Sequence, residues 1–98
     1  MSTVTSTSVE RHDAVTTVTF VVPPGLARHA ELVADFSSWT PLAMDLGADG
    51  AHRARLNLPS HRQFAYRFVI DGDTIINDPA APHFEVCEQG GHSSVVQT

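Results

Sequence analysis

Three sets of side chains in this 98-residue chain are of types that do chemistry. The first is a single ring. Trp39, the sole tryptophan, sits in Ala34-Asp35-Phe36-Ser37-Ser38-Trp39-Thr40-Pro41, directly after the apolar run Ala30-Glu31-Leu32-Val33-Ala34. Pro41 makes a continued central strand unfavourable. A large amphipathic ring beside Ser, Ser, Thr and Pro is expected to be partly exposed, where it either caps the core or binds something. The second set is His83, Cys87 and His92, three metal-ligating types within ten residues. Their spacing is not that of a zinc finger and no fourth ligand is evident, so neither a metal site nor a cofactor is expected. The third set is the carboxylates Asp35, Asp71, Asp73 and Asp78. They fall at strand ends and turns, where Asp is favoured for the backbone bonds it makes. Glycosidase chemistry needs two carboxylates across a sugar-sized cleft. A G-x-S-x-G elbow, a phosphate loop and a Cys/His dyad at a recognised spacing are all absent. The sequence therefore predicts no enzyme.

Composition narrows the partners. A net charge of −5 argues against non-specific nucleic-acid or anionic-membrane binding, which want a basic surface. The one cysteine, Cys87, cannot form an internal disulfide, which suits a reducing compartment. The first eight residues carry no basic region and no long apolar run, unlike a secretory signal. No apolar stretch approaches the ~20 residues of a spanning helix. The expectation is a cytoplasmic protein with one modest core.

These side chains must be positioned by strands. Residues 1–13 are Ser/Thr-rich without apolar periodicity and read as a flexible tail; residues 14–98 read as one domain. Val15 to Val22 is β-branched and aromatic throughout, a strand closed by Pro23-Pro24-Gly25. Ala30 to Phe36 is the second strand, and Leu42 to Leu46 a short third. His52 to Leu58 alternates, with Ala54, Leu56 and Leu58 on one face and Arg53, Arg55 and Asn57 on the other. Phe64 to Ile70 is the strongest strand. Phe64, Tyr66, Phe68 and Ile70 point inward, so Arg67 points outward. Asp71-Gly72 signals a two-residue hairpin into Thr74-Ile75-Ile76. Ala80 to His92 reads as a long loop and Ser94 to Gln97 as a last strand. His12, His29, His52 and His61 are expected to be solvated. Strands at this spacing with turns between, and no helical period, predict an all-β sandwich.

Five pieces come in a familiar order: Val33-Ala-Asp-Phe-Ser-Ser-Trp39, Leu56-Asn-Leu-Pro59, Phe64-Ala-Tyr-Arg-Phe-Val-Ile-Asp-Gly72, Asn77-Asp-Pro79 and Ser93-Ser-Val-Val96. Together they resemble carbohydrate-binding module family forty-eight. That family includes the glycogen-binding domain of AMP-activated protein kinase β subunits and the early-set domain of isoamylases and glycogen branching enzymes. The resemblance runs from about Thr16 to Thr98 and implies an immunoglobulin-like, early-set β-sandwich.

It also implies site residues. Trp39 matches a tryptophan that stacks on a glucose ring, and Arg67 matches a lysine facing the sugar. A second tryptophan follows the Asp-Gly turn in the family; here Thr74 and Ile75 stand there. Asn-Asn pairs of the family are replaced by Ser37-Ser38 and Ser93-Ser94. α-Glucan binding needs a flat aromatic face for the C–H side of a pyranose and a few aimed polar groups. The candidate set is Trp39, Arg67, Thr74, Asn77 and Ser94. The function implied is non-catalytic binding of an α-glucan such as glycogen or maltodextrin, weak for want of the second ring. The alternative is a protein–protein interaction module that keeps the sandwich and has lost the sugar. An outward Arg67 has a simpler role too, keeping its strand soluble and pairing with Asp71 or Glu31.

Overall fold

The computed structural model describes residues 7–81, 83–86 and 92–98. Among the described residues ten strands form in chain order: β1 (Ser8–His12), β2 (Val15–Val22), β3 (Ala30–Ala34), β4 (Leu42–Ala43), β5 (Asp45–Leu46), β6 (His52–Pro59), β7 (Gln63–Ile70), β8 (Thr74–Ile76), β9 (His83–Val86) and β10 (His92–Gln97). A 3₁₀ turn, Asp35–Ser37, follows β3. One sheet runs β1-β2-β6-β5. The other runs β4-β3-β7-β10-β9, with β8 also on β7. Every pairing is antiparallel. The molecule is the all-β sandwich that the strand pattern predicts.

Alternation sets what lies between the sheets. Val18, Phe20 and Val22 of β2 face Leu32 of β3 and Tyr66 and Phe68 of β7, all fully buried. Phe20 packs edge-on against Tyr66 at 4.8 Å between ring centroids, and Tyr66 against Phe68 at 5.8 Å. Such pairs add about 0.5–1.5 kcal/mol each beyond their buried area. Leu58 is buried and Ala54 and Leu56 pack against the core, while Arg55 and Asn57 are exposed. The expected parity of β6 and β7 is the observed one.

Several expectations are corrected. Ser8–His12 is not part of a tail: it pairs along its length with β2, from Ser8 opposite Thr19 to His12 opposite Val15. As an edge strand exposed at four of its five positions, it needs no apolar alternation, so its composition hid it. Leu42 to Leu46 is two strands. Met44, buried between them, is where the chain crosses from β4 in one sheet to β5 in the other. The second strand ends at Ala34, because the 3₁₀ turn begins at Asp35. The stretch read as a loop after Ala80 contains β9, paired with β10. His52 is buried, not solvated: it lies opposite Val22 with Nε2 3.2 Å from the Arg28 carbonyl oxygen.

Two polar knots close the ends. At one, Arg11 donates from Nε to the Thr98 carbonyl (3.0 Å) and from Nη2 to that of Gln97 (3.2 Å), while Thr16 Oγ1 donates to Thr98 O (3.1 Å). This clasp joins the first and last strands across the two sheets. The other knot is Asn77-Asp78-Pro79. Tyr66 donates its hydroxyl to Asp78 Oδ2 at 2.6 Å. Asp78 N–H donates to Ser94 Oγ (2.6 Å), and Ser94 N–H donates to Asn77 Oδ1 (3.1 Å).

Burial, and then the bond to the Asp78 carboxylate, push the Tyr66 hydroxyl well above the usual phenol range. A group whose pKa rises on folding adds stability that is intact below its unfolded value of ~10 and lost as pH climbs past it. Tyr66 is the sole tyrosine, so phenolate absorbance reports it alone. The folded protein should show no ionisation step near pH ~10; the phenolate band should rise only as the strand signal in circular dichroism is lost. A reversible step there with the fold intact would contradict the buried pair.

Candidate functional site

The site begins where β3 leaves its sheet. Phe36 drops its ring toward the core, 5.5 Å from Phe64 and 6.0 Å from Phe20, and anchors the 3₁₀ turn from below. Ser38 N–H donates to Asp35 O (3.1 Å), Trp39 N–H to Ala34 O (2.8 Å) and Thr40 N–H to Ser37 O (3.0 Å). The corner this makes presents Trp39 with 45% of its surface exposed. The partly exposed ring is what the flanking residues predict.

Register fixes what lies beside it. Ala34 pairs with Tyr66 and Val33 with Arg67, so the Trp39 backbone is tied one step from Arg67 on the neighbouring strand. Directly opposed residues share a face of the sheet. Val33, Arg67, Val69 and Ser93 therefore lie on the outward side, since Tyr66, Phe68 and Ser94 lie on the inward side. Arg67 is half-buried there and donates from Nε to Ser93 Oγ at 3.2 Å. Trp39 and Arg67 are the two predicted residues that the fold brings to one region.

The other three are placed elsewhere. Ser94 is fully buried opposite Tyr66, with its hydroxyl on Asp78 N and 3.3 Å from Asn77 Oδ1. Asn77 spends its carbonyl oxygen on Ser94 N. Both belong to the inner knot; Ser93 lies on the other face of β10 and is itself fully buried. Thr74 pairs with Ile70, four residues along β7 from Tyr66, a separation of roughly 13 Å at strand rise. Its hydroxyl donates to Asp73 Oδ1 at 3.0 Å.

The turn explains the displacement of Thr74. The Asp71-Gly72 signal is real, but the loop has three residues, Asp71 to Asp73, because Ile70 pairs with Thr74. Asp71 adopts φ +53° and Gly72 φ +79°. Asp71 Oδ1 accepts the amides of Arg28 (2.8 Å) and His29 (3.0 Å). Those two bonds, that to His29 first, lower the Asp71 pKa. A two-residue loop would have set Thr74 opposite Val69, facing outward. The extra residue shifts the register by one and turns every later side chain over. Ile75 takes the outward place opposite Val69, with 60% of its surface exposed. The sequence reading named Ile75 beside Thr74 but left it out of the site; counting the loop as three residues sets Ile75 as the outward one of the two.

The remaining chemistry-bearing groups are accounted for as far as the described residues reach. Asp35, Asp71 and Asp78 each accept a backbone amide, the role their turn positions predict. Among the described residues no three His, Cys, Asp or Glu side chains converge as for a metal; Cys87 lies outside them. No described helix is long and apolar enough to cross a membrane. A groove of about 250 Å³ between β1 and β10, walled by Val9, Arg11, Tyr66 and Val96, does not include Trp39 or Arg67.

Fold and surface thus define a small β-sandwich that presents Trp39 at a corner whose backbone is tied one register step from Arg67. No protein-family model matches the sequence, and no curated protein matches it. Solved structures do match the fold. The enterobactin esterase of Shigella flexneri, crystallised in the presence of enterobactin, superposes with a TM-score of 0.74 at 13% identity, over 96% of this chain and 32% of that one. The ferric enterobactin esterase of Salmonella typhimurium gives 0.74 at 14%, over 98% and 35%. The chain spans about a third of those proteins, and at such identity the likeness is one of fold alone.

Proposed function

We propose that this domain is a non-catalytic α-glucan-binding module acting in the cytoplasm, with Trp39 as the platform and Arg67 as its polar neighbour. The observation that carries the reading is that the sole tryptophan is presented, not buried, at a corner tied one register step from the outward-facing Arg67. An indole offers a flat apolar face to the C–H side of a pyranose, and a guanidinium offers planar donors to hydroxyls. Thr74, Asn77 and Ser94 drop out of the proposed contact set, and Ser93, fully buried and bonded to Arg67, stands behind the guanidinium as its support. With one ring where a strong site has two, binding is about tenfold weaker, each stacked ring contributing ~1 kcal/mol or more. That places short oligosaccharides in the millimolar range.

Ile75 favours a second reading on the same surface. An exposed aliphatic side chain in the place of a second ring suits a protein partner better than a sugar. On this reading the Trp39 face docks another chain.

Trp39 fluorescence separates the two. Titration with maltoheptaose or β-cyclodextrin should shift the emission, saturating in the millimolar range. No change up to ~10 mM, where a weak site of this kind fills, would overturn the sugar reading.

A further inference from the structure

Ser38 and Trp39 are consecutive residues in left-handed backbone, at φ +54° and φ +60°. For side chains with a Cβ this conformation is costly and persists only where the surroundings over-determine it. Phe36 and the main-chain bonds of the turn provide part of that constraint. Two side chains provide the part that depends on sequence. The β3–β7 ladder stops at Ala34 opposite Tyr66. The next amide on that edge of β7, Ala65 N–H, therefore meets no strand and donates instead to Asp35 Oδ2 at 3.0 Å. The carboxylate takes the place of a ladder acceptor and clips the turn to β7. Ser37 Oγ lies 3.0 Å from both the Ala34 and Thr40 carbonyl oxygens and can donate to either, closing the corner around Trp39.

We propose that Asp35 and Ser37 are positioning residues for the Trp39 ring: they hold the corner in its left-handed form, so that the ring is fixed before a ligand arrives. This rests on the reading that Trp39 is the ligand-contacting ring. Pre-setting a side chain spares binding the cost of ordering it, worth about fivefold in affinity for one such group.

The test uses the whole chain with Asp35→Ala, Asp35→Asn and Ser37→Ala, each checked for its strand signal. Fluorescence anisotropy decay of the sole tryptophan reads the ring's fast motion directly, and maltoheptaose titration reads its consequence. Asp35→Ala and Ser37→Ala should enlarge the fast component and weaken maltoheptaose about fivefold. Asp35→Asn keeps an oxygen for the Ala65 amide and should restore both. Should Asp35→Ala fail to fold, Ser37→Ala decides by the same two readings. Folded variants whose ring motion equals the parent's would overturn the proposal. A larger fast component in variants of a parent that ignores maltoheptaose would uphold the positioning role and remove the sugar.

Discussion

Replacing Asp78 by alanine should lower the thermal unfolding midpoint by roughly 15 °C. Asp78 is fully buried and accepts the Tyr66 hydroxyl at 2.6 Å and the Ala80 amide at 2.9 Å. Removing the carboxylate leaves both donors without this acceptor, and a stranded buried donor costs about 1–3 kcal/mol. A total near ~3 kcal/mol corresponds, in a domain of this size, to 4–8 °C for each kcal/mol, hence roughly 15 °C. Asp78→Asn keeps an oxygen in place and should lose less than about half as much. Tyr66→Phe with Asp78→Ala should cost less than the two separately, because each alone strands the other's partner. Scanning calorimetry reads the four variants and the parent. A midpoint for Asp78→Ala within about 3 °C of the parent would mean the knot does not hold the sandwich.

On the α-glucan reading, Trp39→Gly should weaken binding at least about tenfold while leaving the fold nearly as stable. The indole is half-exposed, so its loss uncovers little core. Its backbone sits at φ +60°, which glycine adopts freely. Relief of about 1 kcal/mol of strain offsets the 0.5–1 kcal/mol that glycine costs in chain entropy, so the midpoint should stay within about 6 °C of the parent. Affinity for maltoheptaose should fall at least about tenfold with the stacking face gone. Because the substitution removes the fluorophore, calorimetric titration or co-sedimentation with glycogen is the measurement. Trp39→Phe keeps a smaller face and should fall between. Undiminished glycogen binding by Trp39→Gly would move the site elsewhere on the domain.

The strands that build the core were legible because their side chains had to alternate. Phe64 to Ile70 and His52 to Leu58 face a packed interior on one side, so parity is written into them, and Arg67 followed as outward. β1 and β9 were not legible. Each is a sheet edge, paired on one side only, and an edge strand can be polar or short. Of the candidate site, the exposure of Trp39 and the outward face of Arg67 were legible, and which neighbours share that face was not. Ser94 and Ser93 look equivalent in sequence, and only pairing with Tyr66 decides which one turns inward. The Asp71-Gly72-Asp73 loop similarly decides between Thr74 and Ile75. His52 looks like a turn histidine until the Arg28 carbonyl, reached through the loop after β2, comes to its Nε2. For the serines and His52 the missing information was contact between segments distant in the chain, and for Thr74 and Ile75 it was the length of one turn; local composition carries neither.

The Arg11 clasp bears on how the molecule comes apart in time. Its bonds to Thr98 and Gln97 join residues 87 and 86 positions apart, and that from Thr16 spans 82. Closing a loop of that length costs about 4 kcal/mol of chain entropy before any contact repays it. Such contacts form late, after β2, β6 and β7 have found one another, and so add little to the rate of folding. Interactions absent from the transition state slow unfolding instead. The guanidinium that seals the two sheets is then a brake on opening, acting on the lifetime of the folded domain rather than on the speed of its assembly.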